Sequence, residues 1–391
     1  MTDLNAFEYR PFIPLSEFSP PPWPEREALR MAIRRTKRML TRHEERPIIA
    51  EDRLQRDINA LNDRDRVAPP HCEPLFKELA MTLDAWSQEI RPTRWLQLIV
   101  MPPGYRHELL GEWARRKGHE VLSTPKRETL LEEVAVEIPD LHGEGVLVIP
   151  RLEEWFMRHR CGLEAVRRLL EQIAGLERHC VIGCQSWGWA YLGRAIEAHL
   201  MLPEPLTFQP FDEQRLCQWL ANSVADDDFS GTRFRLRESG QDIFATDEKG
   251  QPESNYFKVL AAHSRGIPWV ARDLWRSSLR SRIEMEDDDS SEPLPFEDEQ
   301  TLWVVALDEF SLPGSGDSRA LLILHALLIH GALARTELER VLPDPGPRPM
   351  LHALLGAGLI EQHDGQLRIV SAAYPAIRNG LATAGFPLDR N

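Results

Sequence analysis

Three short, nearly unbroken apolar runs constrain this chain most: "WLQLIVM" (Trp95 to Met101), "GVLVIP" (Gly145 to Pro150) and "HCVIGCQ" (His179 to Gln185). A run with so little polar alternation is a strand buried on both faces, not one that turns a side to water. The segments between the runs have the period of helices. "YRHELLGEWARRKG" puts Tyr105, Leu109, Leu110, Trp113 and Ala114 on one side, and "GLEAVRRLLEQIAGLE" does the same with Leu163, Val166, Leu170 and Ile173. "HEVLS" reads as a short strand and "WAYLGRAIEAHL" as a further helix. Strands alternating with helices predict a parallel sheet covered on both faces.

The flanks differ in kind. Residues 1–90 form a proline-rich arm and a helical N-terminal segment. In the arm, "RPFIPLSEFSPPPWP" (Arg10 to Pro24) is barred from helix and lies extended. The helix that begins at Glu25 sets Leu29, Ala32, Ile33, Thr36 and Leu40 against Arg30, Arg34, Arg35, Lys37, Arg38 and Arg42. That basic face is either simply solvated or docks on an acidic partner or an anionic membrane surface. Glu51 to Glu89 reads as two more helices broken at "APPH".

The α/β core takes residues 91–209. A helical stretch follows over 210–283, with Asp212 as an N-cap and two helices joined at "RGIP"; "ADDDFSGTRFRLRESGQDIF" is a hairpin or an irregular insertion. An acidic linker occupies 284–300. In 301–391, three helices precede a turn at Asp364-Gly365 and a strand from Leu367 to Val370, which is the winged-helix arrangement.

Composition narrows the function. The net charge of -14 argues against a uniformly basic nucleic-acid binder. Five cysteines, an odd number without framework spacing, fit a reduced cytoplasmic protein, and Cys180 and Cys184 read as core. No Cys/His spacing suits zinc. "ALLILHALLIHGALA" (Ala320 to Ala334) is short for a membrane span and carries His325 and His330, so a buried helix is expected. The proline-rich start has no apolar stretch of the kind an export signal needs.

Four stretches carry chemistry. "MPPGYRHELL" follows a strand and opens a helix, as a phosphate-gripping loop does. A working loop needs G-x-x-x-x-G-K-[ST], its Lys on the phosphates and its hydroxyl on Mg²⁺. Here Gly104 stands alone, with Arg106 the nearby cation. "VLVIPRLEEWF" places Pro150 where a metal-holding Asp belongs, with Glu153 and Glu154 beyond it at a helix start. "GCQSWGW" ends a strand in Gln185 and Ser186, where the P-loop ATPases that this order resembles place a phosphate sensor, and offers Trp187 and Trp189 as packing or an interaction surface. "RGIPWVARDLW" resembles the lid motif of the same ATPases, in which a Gly-x-Pro turn opens a helix and an Arg reaches the nucleotide; Arg272 is either that Arg or a surface one.

This order resembles the P-loop ATPases of the AAA+ and STAND superfamily, especially the origin-recognition-like branch with a C-terminal winged helix, over Trp95 to Phe386. The resemblance implies a P-loop NTPase-like α/β core, a helical lid and a winged-helix domain. It implies nucleotide contacts at Pro103, Gly104, Tyr105, Arg106, His107, Glu153, Glu154, Gln185 and Arg272.

With the loop Lys and the strand-end Asp both missing, the expectation is a pseudo-ATPase adaptor or regulator without catalytic residues, metal or cofactor. ATP or ADP with Mg²⁺, held as an atypical switch, is the alternative. A protein partner or self-association is expected, with DNA as a further alternative. The candidate contacts are Arg34, Arg35, Arg38, Trp187, Trp189, Arg348, His352 and Arg368.

Overall fold

The computed structural model describes residues 11–24, 49, 54–56, 72–104, 109–132, 136–225, 231–282, 300–307, 310–313, 318–343 and 348–390. Tyr105, Arg106, His107, the basic helix with Arg34, Arg35 and Arg38, the acidic run 284–299 and the stretch 57–71 lie outside the described residues.

The fold is mixed α/β. Its strands are β1 (Phe12–Pro14), β2 (Leu54–Arg56), β3 (Leu96–Met101), β4 (Glu120–Val121), β5 (Leu147–Ile149), β6 (Cys180–Gln185), β7 (Leu206–Phe208), β8 (Arg233–Leu236), β9 (Leu279–Arg282), β10 (Thr301–Val304), β11 (Ala332–Ala334), β12 (Ile360–His363) and β13 (Gln366–Ile369). Its helices are α1 (Glu73–Ser87), α2 (Leu109–Lys117), α3 (Arg127–Leu130), α4 (Glu164–Ala174), α5 (Ser186–Ala195), α6 (Ala198–Met201), α7 (Glu213–Ala225), α8 (Tyr256–His263), α9 (Pro268–Ser277), α10 (Ser318–His330), α11 (Arg335–Val341), α12 (Arg348–Gly356) and α13 (Tyr374–Thr383). The chain divides into two compact units, one of residues 1–19, 71–209 and 310–391 and one of residues 20–70 and 210–309.

The first unit is built on a six-stranded sheet in the order β1-β7-β3-β6-β5-β4. All neighbours run parallel except β1, which pairs antiparallel with β7. The three apolar runs are its centre. Leu98, Ile99, Val100, Leu147, Val148, Ile149, Val181 and Ile182 are fully buried, as strands covered on both faces must be. Gly183 in β6 has no room for a side chain, because a Cβ there would strike the Pro150 carbonyl and Leu110. Within the proline-rich arm Phe12–Pro14 edges this sheet, Phe12 pairing with Phe208, but Leu15–Glu17 then makes a 3₁₀ turn where an extended run was expected; Phe12, Ile13, Leu15 and Phe18 are buried.

The C-terminal part of the same unit holds α10 to α13 and a small antiparallel sheet, β11-β13-β12. Asp364 (φ 49°) and Gly365 (φ 77°) make the two-residue turn between β12 and β13, where positive φ at both positions suits the twist of a tight hairpin. The strand after the turn is Gln366–Ile369, and β11 adds a third partner that the sequence pattern does not announce. α10 is buried through most of its length, His330 included.

The second unit contains α7, α8, α9 and a four-stranded sheet in the order β2-β9-β10-β8. Asp212 caps α7, its carboxylate accepting the Arg215 N–H at 2.8 Å. The "RGIP" turn needs Gly266 (φ 72°), since a Cβ there would meet Pro210 and the Phe211 backbone.

Three expectations change here. The stretch 210–283 is not wholly helical, because α9 ends at Ser277 and "LRSR" becomes β9. Residues 54–56, expected in a helix, are β2 and pair antiparallel with β9. Residues 301–304 belong to this sheet through parallel pairing of β10 with β8, so the second unit extends past the 300/301 boundary. In the first two cases cross-strand pairing overrides local helical preference in a segment of weak pattern. Among the described residues no helix is long and apolar enough to cross a membrane.

Candidate functional site

In an open parallel sheet, ligands bind beyond the carboxyl ends of the strands. Three of the motif ends meet there. Met101 pairs with Gln185, and Ile149 with Ile182, so the ends of β3, β6 and β5 lie side by side in the first unit. β3 runs into buried Pro102 and Pro103 and then Gly104 (φ 87°). β5 runs into Pro150 and a 3₁₀ turn at Leu152–Glu154, in place of the expected start of an α-helix. β6 passes directly into α5.

Glu153 is 2% exposed, and both its oxygens are engaged. One accepts the Gln185 N–H at 3.1 Å and the other faces the Arg151 Nε at 3.3 Å. Burial pushes its carboxyl up from the usual range, with Arg151 and the backbone N–H groups pulling the other way. The carboxylate therefore serves an N–H at the start of α5 that the helix itself cannot satisfy. Glu154 pairs with Arg151 at 2.9 Å. The Gln185 Oε1 is buried and finds no donor among the described residues.

What lies over these ends is the chain's own C-terminal part. The Ser371 hydroxyl donates to the Gly104 carbonyl at 3.3 Å. A Cβ on Gly331 would strike the Gln185 amide, and one on Gly188 would press on the Ile329 carbonyl. The Ser186 hydroxyl donates to the Asp389 carboxylate at 2.5 Å, and the Tyr374 hydroxyl donates to the same oxygen at 3.0 Å. The Trp187 indole donates to the Tyr374 oxygen at 3.3 Å, and Arg378 holds the other Asp389 oxygen at 3.1 Å. Burial raises the Asp389 carboxyl, opposed by Arg378, Ser186 and Tyr374.

A second set of bonds fastens α10 and its neighbours. Arg127 donates to the carbonyls of His330, at 3.0 Å, and Ala332. Arg158 donates to the Val341 carbonyl and to the His325 Nδ1, each at 3.2 Å. The Arg158 N–H reaches the His330 Nε2 at 3.2 Å, which makes that ring a neutral acceptor. Burial, with the nearby arginines, lowers His325 to about 4 and His330 well below the ordinary value.

The remaining candidates separate. Trp187 and Trp189 are 1% and 9% exposed, so they are packing and not an interaction surface. The Arg368 Nε pairs with Glu361 across β12 and β13 at 2.8 Å, which compensates its charge. His352 is exposed on α12; the side chain of Arg348 lies outside the described residues. Arg272 belongs to the second unit, with its Nε 3.0 Å from Asp273.

The residues that sequence reasoning missed are Arg127, Arg158, Ser371, Tyr374 and Asp389. Two histidines inside an otherwise apolar helix were the one visible sign of polar partners there. No protein-family model matches the chain, and no curated protein matches it.

Proposed function

We propose that this protein is a non-catalytic adaptor or regulator of AAA+/STAND type, with a P-loop-like core and a C-terminal winged helix, and that it works through protein–protein contact. The observation that carries this reading is the cover over the carboxyl ends of β3 and β6: Gly104, Gln185 and Ser186 each face a residue of the C-terminal part. An ATPase of this kind depends on positioning and on neutralising phosphate charge. Here the loop has no Lys, Pro150 follows the apolar strand, and Glu153 is spent on the Gln185 N–H. The helical C-terminal part supports protein contact better than DNA contact, since Arg368 and Arg378 are paired with Glu361 and Asp389.

The test is an assay of Mg²⁺-dependent ATP hydrolysis on the full chain. The expected rate is that of the buffer, for the natural protein and for Glu153→Gln alike. Robust turnover that Glu153→Gln or Arg106→Ala abolishes overturns the reading in favour of an active, atypical NTPase.

A further inference from the structure

The segment that follows α13 lies in a groove of the first unit as a short peptide lies in a receptor. α13 ends in a turn with the two bonds of a Schellman motif. The Gly385 N–H reaches the Ala382 carbonyl at 3.1 Å and the Phe386 N–H the Leu381 carbonyl at 2.9 Å, with Gly385 at φ 77°. Regular structure stops there. Pro387 has no N–H, and among the described residues Pro387 to Arg390 make no backbone–backbone hydrogen bond. Gly385, Pro387 and Arg390 are exposed.

Two side chains hold the segment. The Phe386 ring meets the His325 ring at 5.1 Å, and His325 meets Trp187 at 5.7 Å, both edge to face. Three residues on, Asp389 is buried. One of its carboxylate oxygens accepts the Ser186 and Tyr374 hydroxyls and the other accepts the Arg378 Nε. Arg378 also donates to the Asp389 carbonyl at 3.2 Å.

Receptor and occupant differ in kind. Ser186 opens α5, His325 lies inside α10, and Tyr374 and Arg378 stand one turn apart on α13. Side chains on helices keep their geometry, whereas a segment without backbone pairing opens more easily than the helices around it. Two hydroxyls and a guanidinium converging on one carboxylate make a carboxylate receptor, with the guanidinium supplying the charge. Beside it, His325 and Trp187 supply rings for an aromatic side chain.

We propose that this groove is a peptide-docking site that the chain's own segment fills, and that a partner protein displaces it with an extended segment carrying an aromatic residue three positions before a carboxylate. The inference rests on the reading of the protein as an adaptor and names the chemistry of its partner. The occupant supplies the pattern, with Phe386 on the rings and Asp389 on Arg378. Because it is linked in cis, its effective concentration is on the order of millimolar. A free peptide of the same sequence therefore competes poorly, and a partner has to add contacts of its own. Displacement also frees Ser186, where the cover over the end of β6 is fastened.

The experiment is fluorescence anisotropy of a labelled peptide with the sequence of residues 383–390, blocked at both ends, titrated with the full chain. Phe386→Ala with Asp389→Asn weakens the internal occupant, and this double variant should bind the peptide at least about tenfold more tightly than the natural chain does. A peptide with Asn in place of its Asp should bind about tenfold more weakly, and adding Arg378→Gln to the double variant should have the same effect. A second variant keeps every native contact. About ten Gly and Ser residues inserted after Gly385 lower the effective concentration of the segment, and should also tighten peptide binding over that of the natural chain.

No peptide binding at about millimolar concentration by a double variant with the near-ultraviolet spectrum of the natural protein overturns the proposal. Equal binding by the natural chain and both variants overturns it too, as does binding that Arg378→Gln leaves unchanged. If the double variant does not fold, the insertion variant decides, and no gain over the natural chain is the contradicting result. ATP turnover in the same preparations bears on the non-catalytic reading alone, so the two can fail separately.

Discussion

Ser186 and Asp389, separated by 203 positions, share a buried hydrogen bond of 2.5 Å. Ser186 is the first residue of α5, where β6 ends, and Asp389 lies in the tail after α13. The bond therefore fastens the tail over the end of a central strand. Tyr374, Arg378 and Trp187 complete the network, and each of its polar groups has a partner.

Removing one member should expose how much this fastening matters. Asp389→Ala removes the carboxylate to which Arg378, Tyr374 and Ser186 donate, leaves Arg378 the Asp389 carbonyl, and should cost about 3 kcal/mol, while Ser186→Ala should cost about 1. The two changes should be non-additive in a double-mutant cycle. Urea unfolding followed by near-ultraviolet dichroism measures this; additive effects mean that the bond does not couple the segments.

Glu153 should behave as a backbone partner. Glu153→Gln keeps an acceptor for the Gln185 N–H, removes a carboxylate that burial disfavours, and should change stability by less than about 1 kcal/mol. Glu153→Ala leaves that N–H unsatisfied beside a cavity and should cost about 2 to 4 kcal/mol. Equal losses from the two variants contradict this assignment.

Acid should loosen the C-terminal part. His325 and His330 have folded values below 6.5, so the unfolded chain binds protons that the folded one refuses. The stability they carry is fully present above pH 6.5 and is lost as pH falls toward about 4. The slope is at most about 1.4 kcal/mol per pH unit for each ring. Glu153 and Asp389, raised by burial, act in the opposite sense: their contribution is greatest below the unfolded carboxylate values and fades as pH rises through the folded ones. His325→Asn should flatten the pH 4 to 6.5 limb of a stability profile. A profile parallel to that of the natural protein rules the mechanism out.

Gly183→Ala tests the closeness of β5 and β6. The added methyl would meet the Pro150 carbonyl, which is backbone and cannot swing away. A loss of about 1 to 3 kcal/mol is expected by thermal unfolding, and a neutral result would mean that the strands separate easily.

The parts legible in the sequence are those whose signal is local. β3, β5 and β6 announce themselves because strands buried on both faces have few polar positions, and α7 because Asp212 sits one residue before it. β9 does not, since "LRSR" has a single apolar residue and becomes a strand only by pairing with β2 and β10. The role of Glu153 is hidden for a different reason. Its acids look like a helix start, yet its partner is an N–H 32 residues further on. The cover over the strand ends is the least legible of all, because Asp389, Ser371 and Gly331 act on residues much earlier in the chain.

The most direct measurement is a calorimetric titration of ATP and of ADP, each with Mg²⁺, into the full-length protein. The expected result is no saturable heat at millimolar nucleotide, with Gly104 remaining tied to Ser371. Saturable binding in the micromolar range would contradict the central claim, for the loop after β3 would then grip phosphate without its lysine.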